Sequence, residues 1–285
     1  MNKNIKKINF NHSFIFFLFC NISSLVFFKF KNLTISPLIC LALILIIGVS
    51  HGSLDHIKGR KLLNIFKFEN IILFYFTYIF IAMAVIIFLV LFPSISLIIF
   101  LIVASFHFGK EDTQFLINEN SYLNQFLFFL KGTLIILLPM YFHFDETVSI
   151  FKLLLVESES FYASLSFIER NKILQFSIMI STFSSIFLFL RNFEIKNTII
   201  FLDYFSILIL NYYFSPLIAF TVYFCFLHSI RHSITLIFEI NEHNLKNGFK
   251  IFIKRATPLT LLTAIFCIIS IYLLNNSYDL DNSIL

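Results

Sequence analysis

IILFYFTYIFIAMAVIIFLVLF, residues 71–92, runs without a single charged residue. At 1.5 Å per residue a helix of about 20 apolar residues crosses the roughly 30 Å hydrocarbon core of a bilayer, so this stretch predicts a transmembrane helix. Working outward, the run Pro216–Ile240 has the same character. Similar segments lie near 13–29, 36–54, 94–109, 122–142, 171–190, 197–214 and 256–275. The chain therefore reads as an all-α, polytopic transmembrane helical bundle of about nine spans, with a range of eight to ten. Segments 94–109 and 197–214 are short for full spans, and the apolar stretch at 148–156 reads as a re-entrant or surface helix.

Composition agrees. The 285 residues are 59% hydrophobic and only 13% charged, with a mean hydropathy of +0.89, which leaves too little polar surface to coat a soluble globule. One integral membrane domain is expected over 1–285. The 42 phenylalanines are read mainly as lipid-facing filler. Basic residues Lys3, Lys6 and Lys7 precede the apolar stretch 12–28, but Lys29 and Lys31 follow it where a cleaved signal would have small residues, so a retained first helix is expected. The cysteines Cys20, Cys40, Cys225 and Cys267 all lie in apolar runs without paired spacing and read as small core residues, not disulfides or zinc ligands.

Loop charge orients the bundle, because cytoplasmic loops collect Lys and Arg. With nine spans and a cytoplasmic N-terminus, the inner loops hold Lys58, Arg60, Lys61 and Lys67, then Lys110, then Arg191 and Lys196, then Lys246, Lys250, Lys254 and Arg255. The outer ones hold Asp145, Glu146, Glu157 and Glu159, and a C-terminal Asp279 and Asp281; Lys29 and Lys31 are the exception. The expected location is the cell inner (plasma) membrane. The net charge of +5 belongs to this topology and not to nucleic acid.

Five of the eight histidines fall in three clusters at or inside the ends of spans: His51 and His56 in GVSHGSLDH, His107 in ASFHFGKED, and His228 and His232 in FCFLHSIRHS. Polar ionisable groups in hydrocarbon are costly and mark functional sites or satisfied contacts. His12, His143 and His243 sit at segment edges or in loops and read as solvated or interfacial. His228 and His232, four apart, project from one helix face at a spacing that lets two imidazoles share a metal. In the nine-span topology the segments bearing His51, His107 and His228/His232 run in one direction, so four imidazoles from three helices can converge at one depth. Such a set admits Fe, Zn, Cu or Ni.

Around them, Asp55 is one turn beyond His51 and can orient a ligand ring or serve as a helix-end charge. His56 points off the His51 face. Gly52 and Gly109 allow close backbone approach or are plain helix-end glycines. Arg231 is expected to snorkel or to pair with an acid such as Asp203, nearly the only buried acid expected.

HGSLDH at 51–56, SFHFGKED at 105–112 and HSIRH at 228–232, in this order on successive hydrophobic segments, resemble the signature of the Brp/Blh family of carotene 15,15'-dioxygenases. The resemblance covers about residues 36–258, the expected catalytic core. It implies non-haem Fe(2+) held by His51, His107, His228 and His232, and cleavage of β-carotene at its central double bond by O₂ to two all-trans-retinal. Phe106 stands where the family pattern often has Tyr, which puts a polar role there in doubt. An enzyme embedded in membrane lipid would take this hydrocarbon laterally into an apolar tunnel, with Tyr223, Phe106, Phe108 and Phe224 near it. A retinal-binding rhodopsin is the expected downstream partner. The rival readings are a di-iron desaturase, for which the HxxHH boxes are missing; a metal or ion transporter, which would need polar residues through the spans; and a non-catalytic carotenoid-binding or opsin-assembly factor.

Overall fold

The computed structural model describes residues 3–29, 36–48, 52–68, 70–117, 121–153, 158–191 and 193–277. These form helices and connecting turns, with no strand among the described residues. In chain order they are α1 (Lys3–Lys29), α2 (Pro37–Leu43), α3 (Asp55–Ile65), α4 (Ile71–Leu91), α5 (Pro93–Glu111), α6 (Tyr122–Phe142), α7 (Phe144–Leu153), α8 (Glu159–Arg170), α9 (Ile173–Arg191), α10 (Ile199–Tyr213), α11 (Pro216–Val222), α12 (Ile230–Ile240) and α13 (Leu245–Ser277). A π-helical turn, Ile44–Gly48, extends α2, and a second, Tyr223–Ser229, joins α11 to α12. Prolines open α2, α5 and α11, where a missing N–H costs nothing because the first turn has no acceptor for it.

Seven helical stretches among the described residues are long and apolar enough to cross a membrane: Ile5–Phe27, Ile71–Leu91, Pro93–Leu116, Tyr122–Phe142, Ile173–Arg191, Pro216–Ile240 and Leu245–Ser270. The fold is the expected all-α polytopic bundle. Two of the nine expected spans, 36–54 and 197–214, are instead shorter apolar helices, Pro37–Gly48 and Ile199–Tyr213. The segment expected at 94–109 is longer than its sequence signal, because the helix continues through the charged residues Lys110 and Glu111. The apolar stretch at 148–156 falls partly in α7, whose ten residues are too few to cross hydrocarbon.

The chain divides into two compact units, one of Met1–Asn32 with Ala84–Tyr223 and one of Leu33–Met83 with Phe224–Leu285. In the first, α6 is the central helix, packed against α5, α9 and α10, while α1 lies along α10. Its interior is held by small and polar groups. Asn9, Ser13, Phe16, Cys20 and Ser24 form one buried stripe down α1, and Ser181, Ser184 and Ser185 are buried on α9, with the Thr133 and Ser181 hydroxyls 2.7 Å apart. This is membrane logic: lipid is as apolar as leucine, so close packing of small residues and hydrogen bonds between helices associate the bundle. In the second unit, α12 packs on α13, and α13 on the first π turn. No residue of α4 is buried; its apolar surface suits hydrocarbon on every side.

Candidate functional site

The third histidine motif lies on the π turn Tyr223–Ser229 and the start of α12. In a π turn the backbone N–H reaches back five residues instead of four, which fits an extra residue into the helix and re-aims the side chains around it. Here the result is a column of rings. Phe224 stacks on His228 with centroids 5.8 Å apart and planes 15° from parallel. His228 in turn stacks on His232 at 6.5 Å and 17°. Both histidines are buried, so the structure delivers two imidazoles on one face, one turn apart. Lys58, from α3, places its Nζ 3.3 Å from His232 Nε2. An ammonium has only protons to donate, so Nε2 is the acceptor and the ring proton sits on Nδ1.

The first motif follows the other π turn. A Cβ on Gly48 would sit 2.5 Å from the Phe224 ring, so that glycine is what lets the two π turns lie against each other. Gly52 has open space around it, and its expected role in close approach is not seen. His51 lies outside the described residues. Beyond it, Asp55 opens α3 and accepts a 3.5 Å hydrogen bond from the Tyr78 hydroxyl. Burial pushes its carboxyl above the ordinary value of 3.8, against the opposing pull of Lys58, His232, the Tyr78 hydroxyl and His56.

These elements wall a cavity of about 530 Å³, within the range of sites for small organic ligands. Ile44, Phe74, Phe224 and Leu259 form its apolar sides. Gly52, Ser53, Asp55 and His56 bring the first motif to its polar wall, with Tyr78 and Thr263. His56, expected off the His51 face, is therefore a cavity residue.

The second motif ends α5, in the other unit. His107 is exposed, with its ring centroid 5.7 Å from that of Phe108. Its helix is pinned by an unusually close crossing with α6. A Cβ on Gly109 would collide with the Phe128 carbonyl oxygen, and one on Gly132 with that of Ser105. Ser105 and Gly109 on α5 thus face Phe128 and Gly132 on α6 with backbones in contact, a small-xxx-small crossing. Of the two roles open to Gly109 in the sequence, close approach is the one observed.

Just past it lies a polar cluster that sequence reasoning missed. The Tyr223 hydroxyl donates to Asp112 at 2.6 Å, the Tyr223 ring stands edge-on to Phe108 at 5.6 Å, and Lys131 Nζ donates to Thr113 Oγ1 at 2.8 Å. All five residues are buried. Asp112 therefore joins Asp203 as a buried acid, correcting the expectation that Asp203 stands nearly alone. A signal was present: Lys131 is a charge in the middle of a 21-residue apolar helix, which in a membrane needs a partner. Of the four aromatic residues expected near a tunnel, Phe224 lines the cavity, Tyr223 and Phe108 pack at Asp112, and Phe106 carries Lys110 over its ring at 5.5 Å. Arg231 is fully buried and does not snorkel.

Among the described residues no group of three or more His, Cys, Asp or Glu gathers as a metal site; His51 is not in that set. The donor chemistry of His228 and His232 fits a transition metal, since two buried imidazoles in an apolar shell supply nitrogen ligands without a carboxylate.

The chain matches the profile of the family described as Beta-carotene 15,15'-dioxygenase over residues 42–285. No curated protein and no solved structure matches.

Proposed function

Because the chain belongs to the β-carotene 15,15'-dioxygenase family, we propose that it cleaves β-carotene at its central 15,15' double bond with O₂. Each carbon of the broken bond ends as an aldehyde carbonyl, giving two molecules of all-trans-retinal. His51, His107, His228 and His232 hold Fe(2+) in this reading. When bound, iron supplies the one-electron chemistry through which O₂ reacts with a closed-shell hydrocarbon.

The observation that carries the proposal is the cavity of about 530 Å³, walled by the first motif and by the phenylalanine stacked on His228. Its apolar sides suit a polyene dissolved in the bilayer, which never has to cross water to reach it. Phe224 acts between substrate and ligand: one face of the ring is toward His228 and its side chain lines the cavity. Gly48 holds that ring in place by leaving room for it. Burial of His228 and His232 keeps water from the reacting atoms and positions the imidazoles before substrate arrives. Asp55, tied to Tyr78, fixes the start of α3 and with it the chain leaving the first motif. The protein works in the cell inner membrane with its N-terminus cytoplasmic, and a retinal-binding rhodopsin is the natural acceptor of the product.

The test is expression in cells that accumulate β-carotene, with pigments extracted and separated. The intact chain should bleach the cells and yield retinal, while His107→Ala, His228→Ala and His232→Ala each leave carotene intact and lower the iron content of the purified protein. Phe224→Ala should change cleavage rate or position with iron retained. Unchanged carotene beside the intact chain, with membrane insertion and iron supply verified, would overturn the enzymatic reading in favour of a carotenoid-binding or assembly role.

A further inference from the structure

A second cavity, of about 310 Å³, opens in the unit formed by Leu33–Met83 and Phe224–Leu285. It is lined by His56, Ile57, Arg60, Lys61 and Asn64 of α3 and by Arg255 of α13. Three permanent cations therefore face one hollow. Lys61 is paired with Glu239 at 2.7 Å, whereas Arg60 and Arg255 find no acid among the described residues. Two guanidinium groups presented to one concavity form a site for a phosphate, whose oxygens match their planar forks.

The depth of the cavity identifies what carries that phosphate. On α13 the charges Lys246, Lys250, Lys254 and Arg255 stop at Arg255, and residues 256–272 carry none. Arg255 is thus the last charge before hydrocarbon, at the level where lipid phosphates lie. His56 also lines the larger, mostly apolar cavity, so a polar hollow and an apolar one share a wall. We propose that this basic cavity binds the phosphate of an anionic phospholipid, an annular lipid site that stands whether or not the carotene reading does.

Basic residues gather on one face of most membrane proteins, so the experiment separates a built site from general attraction. The full chain is purified and placed in phosphatidylcholine bilayers with or without phosphatidylglycerol, free of carotenoid, and lipid retained by the protein is measured by native mass spectrometry. The intact chain should retain phosphatidylglycerol selectively. The Arg60→Gln/Arg255→Gln double variant should lose roughly tenfold or more in that preference, since each surface cation contributes about a factor of five toward an anionic lipid. The Lys246→Gln/Lys250→Gln variant, with the same charge removed outside the cavity, should keep most of it. Equal loss in both variants, or equal retention, overturns the proposal. Displacement of phosphatidylglycerol by millimolar inorganic phosphate would overturn the lipid as carrier and leave a soluble phosphate in its place.

Discussion

Substituting Gly109 by alanine adds one methyl group where α5 and α6 touch. The added Cβ would overlap the Phe128 carbonyl oxygen and lie 2.7 Å from the Phe128 carbonyl carbon and 2.9 Å from the Gly132 nitrogen. All three are backbone atoms, so no rotamer change relieves the clash and the helices must separate by on the order of 1 Å to reach ordinary contact. Overpacking of this kind costs about 1–3 kcal/mol. The absence of a flexible neighbour places Gly109→Ala at the upper end, near 3 kcal/mol, offset slightly by the better helix propensity of alanine. For a chain of this size that corresponds to roughly 6–12 °C in unfolding temperature, readable by thermal scanning in detergent. Gly52→Ala, where the added atom meets nothing within 4 Å, should leave that temperature within about 1 °C. Gly109→Ala/Gly132→Ala should cost less than the sum of the two singles, because helices already parted accept the second methyl more cheaply. His107 is two residues from Gly109 on the same helix, so cleavage should fall further than the folded fraction. A Gly109→Ala protein as stable as the parent would refute the close crossing.

Other consequences can be checked separately. Lys58→Met removes an ammonium 3.3 Å from His232 Nε2 and should tighten metal binding in titrations of purified protein; weaker binding would show that Lys58 instead orients the ring for the metal. Tyr223→Phe deletes a 2.6 Å donation to a buried carboxylate and should destabilise by about 1.5–3 kcal/mol, visible in the same thermal scan, and no change would mean that Asp112 is satisfied without it. Asp55 binds its proton more tightly in the folded chain than its ordinary value of 3.8 implies. Its contribution to stability is therefore full below that value and fades as pH rises through the higher folded one. Asp55→Asn should flatten this part of the pH dependence of denaturant unfolding, and a parallel slope in parent and variant would rule the assignment out.

The bundle was legible because membrane spans announce themselves by length of apolar run alone, as residues 71–92 do. The two shortened helices were harder to read, since Ile199–Tyr213 is as apolar as its neighbours and only the surrounding contacts decide where it ends. The pairing of His228 with His232 was legible from spacing, but the means were not. Nothing in FCFLHS marks a π turn; it depends on Phe224 finding room against Gly48, 176 positions away in the chain. The Asp112–Tyr223 contact was hidden for a similar reason. Asp112 stands in a charged run, GKED, that looks solvated at a helix end, and only the fold places a phenol over it. Lys131 was readable and was passed over.

The π turn at Tyr223–Ser229 has a consequence for how this chain can change over generations. Such a turn is an α-helix that holds one residue too many. Losing any one residue within it would restore an ordinary helix and rotate everything downstream by about 100° relative to what precedes. His232 would then leave the face that Phe224 occupies, while composition, hydropathy and span length stayed almost untouched. Substitutions along this helix are open to selection one at a time, but its length is not. A single-codon deletion here would read as harmless in every profile of membrane propensity and still dismantle the column of rings.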